Sequence, residues 1–162
     1  MCLKYDKAST KKFWNTKERK GKTWCWATKL YTIYNTNGNL QLLSPYQDSP
    51  TKPGWVKSNR DVKEAGKDKC DQFGSSYDTE ACLTIFRGIH VIVEEGVTGL
   101  YHDDNPELVE VQVKCYKKDF VAASTSDKKD SGEWLSWGGE AVFTKVFLPK
   151  SERDRVFKEY AN

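Results

Sequence analysis

The stretch Trp24-Cys25-Trp26-Ala27-Thr28-Lys29-Leu30-Tyr31-Thr32-Ile33-Tyr34, followed by Asn37-Gly38 and Leu40-Gln41-Leu42-Leu43, decides the reading of the fold. Its β-branched and aromatic side chains suit a pleated surface, and they fall into two interleaved sets. Trp24, Trp26, Thr28, Leu30, Thr32 and Tyr34 point one way, and Cys25, Ala27, Lys29, Tyr31 and Ile33 the other. Both sets are mostly apolar or β-prone, so the strand is expected to be covered on both faces. Asn37-Gly38 accepts the positive φ values of a tight hairpin turn, and residues 40–43 return as the partner strand.

Working outward, residues 108–116 alternate cleanly, with Val109, Val111, Val113 and Cys115 opposite Glu110, Gln112 and Lys114, the pattern of a half-exposed strand. Residues 120–123 form a shorter strand and residues 141–148 one strong strand stopped by Pro149. A terminal helix follows, with Ser151 as its cap and Val156, Phe157 and Tyr160 on its apolar side. Residues 83–86 and 89–93 make an apolar run interrupted at Gly88, the place for a bulge or a close backbone approach. Pro45, Pro50, Pro53 and Gly54 mark a loop with room for a short strand at 55–57. Residues 58–80 read as a polar excursion holding at most one short helix. Six or seven strands with one closing helix place the chain in the mainly β (α+β) class. A bent antiparallel sheet, a sandwich or a partial barrel is expected, in a single domain over residues 23–162 after a basic arm at 1–22.

The chain has 162 residues, 26 Lys or Arg against 23 Asp or Glu, and 13% aromatic residues. That balance excludes histone-like and strongly acidic proteins, and the aromatic share argues for a packed core. No apolar run approaches the roughly 20 residues that span a bilayer, and the first residues lack the apolar core of a secretory signal. Residues 1–30 nevertheless hold nine Lys or Arg against Asp6 and Glu18. Residues 7–22 carry much of that charge around Phe13-Trp14. This pattern suits nucleic-acid contact, phosphates on the cations and a base on a ring, or else an arm whose two rings dock on the body.

The five cysteines (Cys2, Cys25, Cys70, Cys82 and Cys115) include no Cys-x-x-Cys pair. They read as reduced thiols of a cytoplasmic protein, with Cys25 and Cys115 packed as small apolar groups. Cys70 and Cys82 flank a polar stretch and are candidates for pairing on oxidation. Cys2 would become the terminal residue if Met1 were removed. Neither a phosphate loop, a dinucleotide-binding glycine motif nor a nucleophile elbow is present. No metal or cofactor is expected, because His102 in Tyr101-His102-Asp103-Asp104-Asn105 lacks the spacing of a cation loop.

His90, in an apolar strand, reads first as a buried histidine and second as a catalytic base. Trp134-Leu135-Ser136-Trp137-Gly138-Gly139-Glu140 joins two indoles to flexible glycines and an acid that opens a strand. That combination suits either a ligand cleft or a hairpin corner. Aromatic rings beside cations point to a stacked base and its phosphate. The candidate ligand residues are therefore Trp134, Trp137, Glu140, Trp55, Arg87 and His90, with Lys22 and Lys29 as phosphate partners.

Cys2-Leu3-Lys4, Leu43-Ser44-Pro45-Tyr46, Gly88-Ile89-His90-Val91 and Glu140-Ala141-Val142-Phe143-Thr144-Lys145-Val146 together resemble small uncharacterised proteins of tailed bacteriophages and their bacterial hosts. The resemblance implies residence in the cytoplasm of a bacterial cell and a host-directed role. That role is sequestration of a nucleotide-like signal or inhibition of a host defence protein. The order of elements is also similar to that of ADP-ribosyltransferase folds, in which Glu140 would match the glutamate of the nicotinamide pocket. No Arg or His opens the first strand, however, and no Ser-Thr-Ser follows the middle one. The expectation is a binder that leaves its ligand intact. The alternatives are an enzyme using Glu140 or His90 and a protein–protein module.

Overall fold

The computed structural model describes residues 3–5, 7–44, 50–58, 68–69, 83–85, 88–93, 105–124 and 139–162. In chain order these form β1 (Leu3–Tyr5), α1 (Lys7–Lys12), a 3₁₀ turn (Phe13–Asn15), β2 (Trp24–Thr36), β3 (Asn39–Leu43), β4 (Pro50–Thr51) and β5 (Gly54–Lys57). Then come β6 (Asp68–Lys69), β7 (Leu83–Ile85), β8 (Ile89–Ile92), β9 (Val109–Tyr116), a second 3₁₀ turn (Lys117–Asp119), β10 (Phe120–Ser124), β11 (Glu140–Phe143), β12 (Lys145–Leu148) and α2 (Lys150–Ala161). The main sheet runs β10-β11-β8-β2-β9-β12-β5, with β3 and β4 continuing from the far end of β2. Its pairings are antiparallel, and it stays open rather than closing into a barrel. A small second sheet joins β1, β7 and β6.

The long strand β2 organises this arrangement. Residues 24–31 pair with β9, Thr28 pairs with Ile92 of β8, and residues 32–36 pair with β3. Asn37 and Gly38 turn the hairpin with φ of 51° and 86°, and Asn35 Oδ1 accepts the Gly38 N–H at 2.8 Å. The apolar run at residues 83–93 divides at Gly88, whose φ is 106°. Residues 83–85 go to the small sheet and Ile89–Ile92 to the main one.

Residues 141–148, expected as one strand, are two. β11 pairs with β10 and β8, whereas β12 pairs with β5 and β9. The corner is Thr144, whose N–H and Oγ1–H both point at the carbonyl of Asp119, at 2.8 and 3.4 Å. Asp119 ends the turn between β9 and β10, so two consecutive strand pairs bend at the same level and are tied there. The bend lets one run of eight residues serve two parts of the sheet.

One sheet face carries the core, built from Ala27, Tyr31, Val91, Val111, Val113, Cys115, Ala141, Phe143, Val146 and Leu148. Phe13 and Trp14 are also buried there. Phe13 stacks on Phe120 at 4.8 Å, and the Arg19 guanidinium lies 4.0 Å over the Phe13 ring and donates to the Val93 carbonyl. Thr10 exchanges hydrogen bonds with the N–H and carbonyl of Ala123, so α1 blunts edge strand β10. Residues 7–16 are thus folded onto the body by their two rings, and neither ring offers a face to solvent.

The terminal helix starts two residues earlier than expected. Pro149, extended at φ −65° and ψ 139°, takes the cap position with no side-chain cap, so Ser151 lies inside the helix. Val156 is buried and Phe157 partly so, but Tyr160 is exposed rather than on the packed side. Glu152 accepts the Gln112 N–H at 2.9 Å and Arg155 donates to the Glu110 carbonyl at 2.9 Å. Helix side chains thereby satisfy backbone groups of β9 that have no strand beside them. No helix among the described residues is long and apolar enough to cross a membrane.

Candidate functional site

Alternation along four adjacent strands collects one kind of surface on the sheet face opposite the core. Trp24 is in register with Tyr116, Trp26 with Lys114, Phe147 with both Lys114 and Trp55, and Lys145 with Lys57. Cross-strand partners share a face. Strands β2, β9, β12 and β5 therefore present Trp24, Trp26, Lys114, Tyr116, Phe147, Lys145, Trp55 and Lys57 side by side. Trp24, Trp26 and Trp55 are 37%, 48% and 45% exposed, far above what a tryptophan that completes a core would show.

The rings form two groups. Trp24 and Trp26 meet edge to face at 5.5 Å, and Lys114 Nζ sits 5.2 Å from one ring and 5.3 Å from the other. Trp55 lies 5.5 Å from Tyr116 and 5.4 Å from Phe147, with Lys145 Nζ 4.6 Å from its ring and Lys118 Nζ 5.9 Å from Tyr116. The eight positions include no carboxylate, and among the described residues none of Lys57, Lys114, Lys118 and Lys145 pairs with one. Lys57 opposite Lys145 is a like-charge cross-strand pair, an arrangement that destabilises a sheet unless an anion is shared between the two. Such a surface can stack planar rings and neutralise negative charge at the same time.

Of the residues singled out from sequence, Trp55 belongs to this face. Lys22 is exposed two residues before Trp24, and its charge acts on Cys25, on the core side of β2, so the structure does not bring it to this face. Lys29, proposed as a phosphate partner, is instead buried on the core side, where burial pushes its amine down to about 8. Lys29 follows the alternation of β2 strictly, and an odd position there is a core position. His90 and Glu140 are also buried, at 6% and 2% exposure. Their strands are neighbours, with Glu140 in register with Ile92 and Val142 with His90, so both side chains lie on one sheet face. Burial pushes the Glu140 carboxyl up to about 8 and His90 down to about 3, which leaves both neutral at pH 7. Neither His90 nitrogen has a hydrogen-bond partner among the described residues. Trp134, Trp137, Arg87, His102, Cys2, Cys70 and Cys82 lie outside the described residues, and the expected paired-indole cleft with them.

The structure adds Trp24, Trp26, Lys114, Tyr116, Lys145, Phe147 and Lys57. A signal for them exists in the sequence. Trp24-x-Trp26, Trp55-x-Lys57, Lys114-x-Tyr116 and Lys145-x-Phe147 each place two rings, or a ring and a cation, two residues apart on a strand. Each pair is ordinary alone, and only the strand order makes them one surface. Of the other expectations, Cys115 is fully buried in the core and faces the half-buried Cys25 across β2 and β9. Among the described residues, no three of His, Cys, Asp and Glu gather as a metal site would require. No family model matches the chain, and no curated protein or solved structure is significantly similar to it.

Proposed function

We propose that this protein binds a nucleotide-like ligand, a planar base bearing phosphate, on the open face of β2, β9, β12 and β5 and releases it unchanged. The observation that carries the reading is the register of eight aromatic and lysine side chains without an acid among them. Exposed indoles offer faces for a base, while Lys57 and Lys145 offer a pair of cations whose mutual repulsion a phosphate relieves. The burial of Glu140 and His90 supports binding over turnover, since the two residues best suited to acid–base work are neutral and lie away from solvent. Resemblance to tailed-bacteriophage proteins supplies a setting for the reading, namely capture of a nucleotide-like signal in the cytoplasm of a bacterial host.

The test is titration of intrinsic tryptophan fluorescence with ATP and AMP, alongside recovery of the nucleotide after denaturation. Quenching that saturates, weakens in Trp55→Ala, and is followed by recovery of intact nucleotide is the expected result. An unchanged spectrum across both nucleotides, or steady consumption of either, would overturn the proposal.

A further inference from the structure

We infer that the ligand of this face is a single-stranded nucleic acid, with successive bases stacked on its two aromatic groups, rather than an isolated nucleotide. The inference rests on the binding reading above and deepens it. Two features of the geometry favour a strand. The rings are divided into two stations, each with its own cation: Trp24 and Trp26 share Lys114, while Trp55 with Tyr116 and Phe147 is flanked by Lys145 and Lys118. A mononucleotide occupies one station and leaves the other exposed. A strand occupies both, and its backbone passes the lysines between them.

The second feature is shape. The face is the outer surface of four neighbouring strands, spanning roughly 14 Å at ordinary strand spacing. It is an open platform, the form on which strand-binding proteins stack bases, with sequence tolerance because every base has a π-face. Double-stranded nucleic acid keeps its base faces stacked inside and presents its backbone and base edges, not those faces, to such a platform. A duplex would engage the lysines and forgo the indoles. Charge complementarity agrees, since a run of phosphates matches a surface that carries Lys57, Lys114, Lys118 and Lys145 with no carboxylate partner for any of them among the described residues.

The experiment measures fluorescence anisotropy of labelled dT12 and rU12, with unlabelled dTMP and a 12-base-pair duplex as competitors, at several salt concentrations. Either single strand is expected to bind at least ten-fold more tightly than dTMP or the duplex. Neutralising about four phosphates would give a log–log salt slope near −3. Trp26→Ala and Trp55→Ala, one from each station, should each weaken binding by about ten-fold. Lys57→Gln, an exposed position whose change leaves the core intact, should make the slope shallower by about 0.7. Equal affinity for dTMP and dT12 would overturn the strand inference and leave nucleotide binding standing. A duplex that binds as well as the single strand would also overturn it. Absence of binding by every probe, dTMP included, would remove the underlying reading as well. Binding of dT12 untouched by all three substitutions would show that this face is not the site.

Discussion

Replacing Glu140 with glutamine should make the protein more stable, and by an amount that grows with pH. The side chain opens β11 and is 2% exposed, and burial raises its carboxyl from 4.5 to about 8. The folded state therefore holds a proton that the unfolded chain releases above pH 4.5, so folding becomes less favourable as pH rises from there to about 8. At about 1.4 kcal/mol per pH unit, the deficit is about 3 kcal/mol at pH 7 and about 5 kcal/mol above pH 8. Glutamine is nearly isosteric with the protonated acid and does not titrate.

Urea denaturation of wild type and Glu140→Gln at pH 4.5, 6, 7 and 8 isolates this contribution. The two should be alike at pH 4.5 and diverge steadily above it. His90 acts in the opposite sense. Its folded value is depressed to about 3, so its contribution to stability is lost as pH falls below 6.5. Between pH 4.5 and 6.5 the two residues nearly cancel, and wild-type stability should be flat there before falling towards pH 8. A glutamine variant less stable than wild type at pH 7, or a difference that does not change with pH, would show that Glu140 is not held protonated by burial. Either result would mean that the buried carboxyl is ionised in the folded protein at pH 7. If Glu140 were a catalytic acid, the same variant would also lose activity, whereas nucleotide binding on β2, β9, β12 and β5, which lie further along the same sheet face, should be unaffected.

Lys29→Met should stabilise the protein by up to about 3 kcal/mol at pH 7, because the buried ammonium is disfavoured by burial alone. That gain is full below pH 8 and fades towards pH 10.5, where the unfolded lysine also loses its proton, as paired urea curves at pH 7 and 10 would show. Glu152→Ala leaves the Gln112 N–H without its acceptor and frees Arg155, so a loss of about 1–3 kcal/mol is expected in the same assay. Burial raises both strand thiols, strongly for Cys115 and less for Cys25, which Arg19 and Lys22 partly offset. In timed alkylation read by peptide mass spectrometry, Cys25 should label slowly and Cys115 only when the protein unfolds.

The parts of the fold that could be read from sequence are those governed by neighbours in the chain. The Asn37-Gly38 turn needs two positive φ values, and the residues that tolerate them stand there. The alternation of residues 109–116 survives unchanged as β9, with Val111, Val113 and Cys115 wholly buried. The break at Thr144 was hidden because both halves of residues 141–148 are equally β-prone. What divides them is a hydrogen bond to Asp119, twenty-five residues away in the chain. Phe13 and Trp14 illustrate the same limit. A basic segment around two rings reads alike whether the rings meet a base or Phe120, and only tertiary packing distinguishes the cases.

The binding face lies at the far end of that scale, and its energetics argue that folding alone does not account for it. The core is built on the opposite side of the sheet and would be the same with any β-prone residues at Lys57 and Lys145. A glutamate at position 57 would turn the repulsive pair into an attractive one, worth about 0.5 kcal/mol or somewhat more relative to the present arrangement. Lys57→Glu should therefore raise the thermal midpoint slightly while weakening binding of dT12 more than the neutral Lys57→Gln does, because it places an anion in the path of the phosphates. Stability and binding moving in opposite directions is the signature of a surface shaped for an anionic ligand. Both falling together would mean that Lys57 holds the sheet, and neither changing would mean that the two lysines are idle.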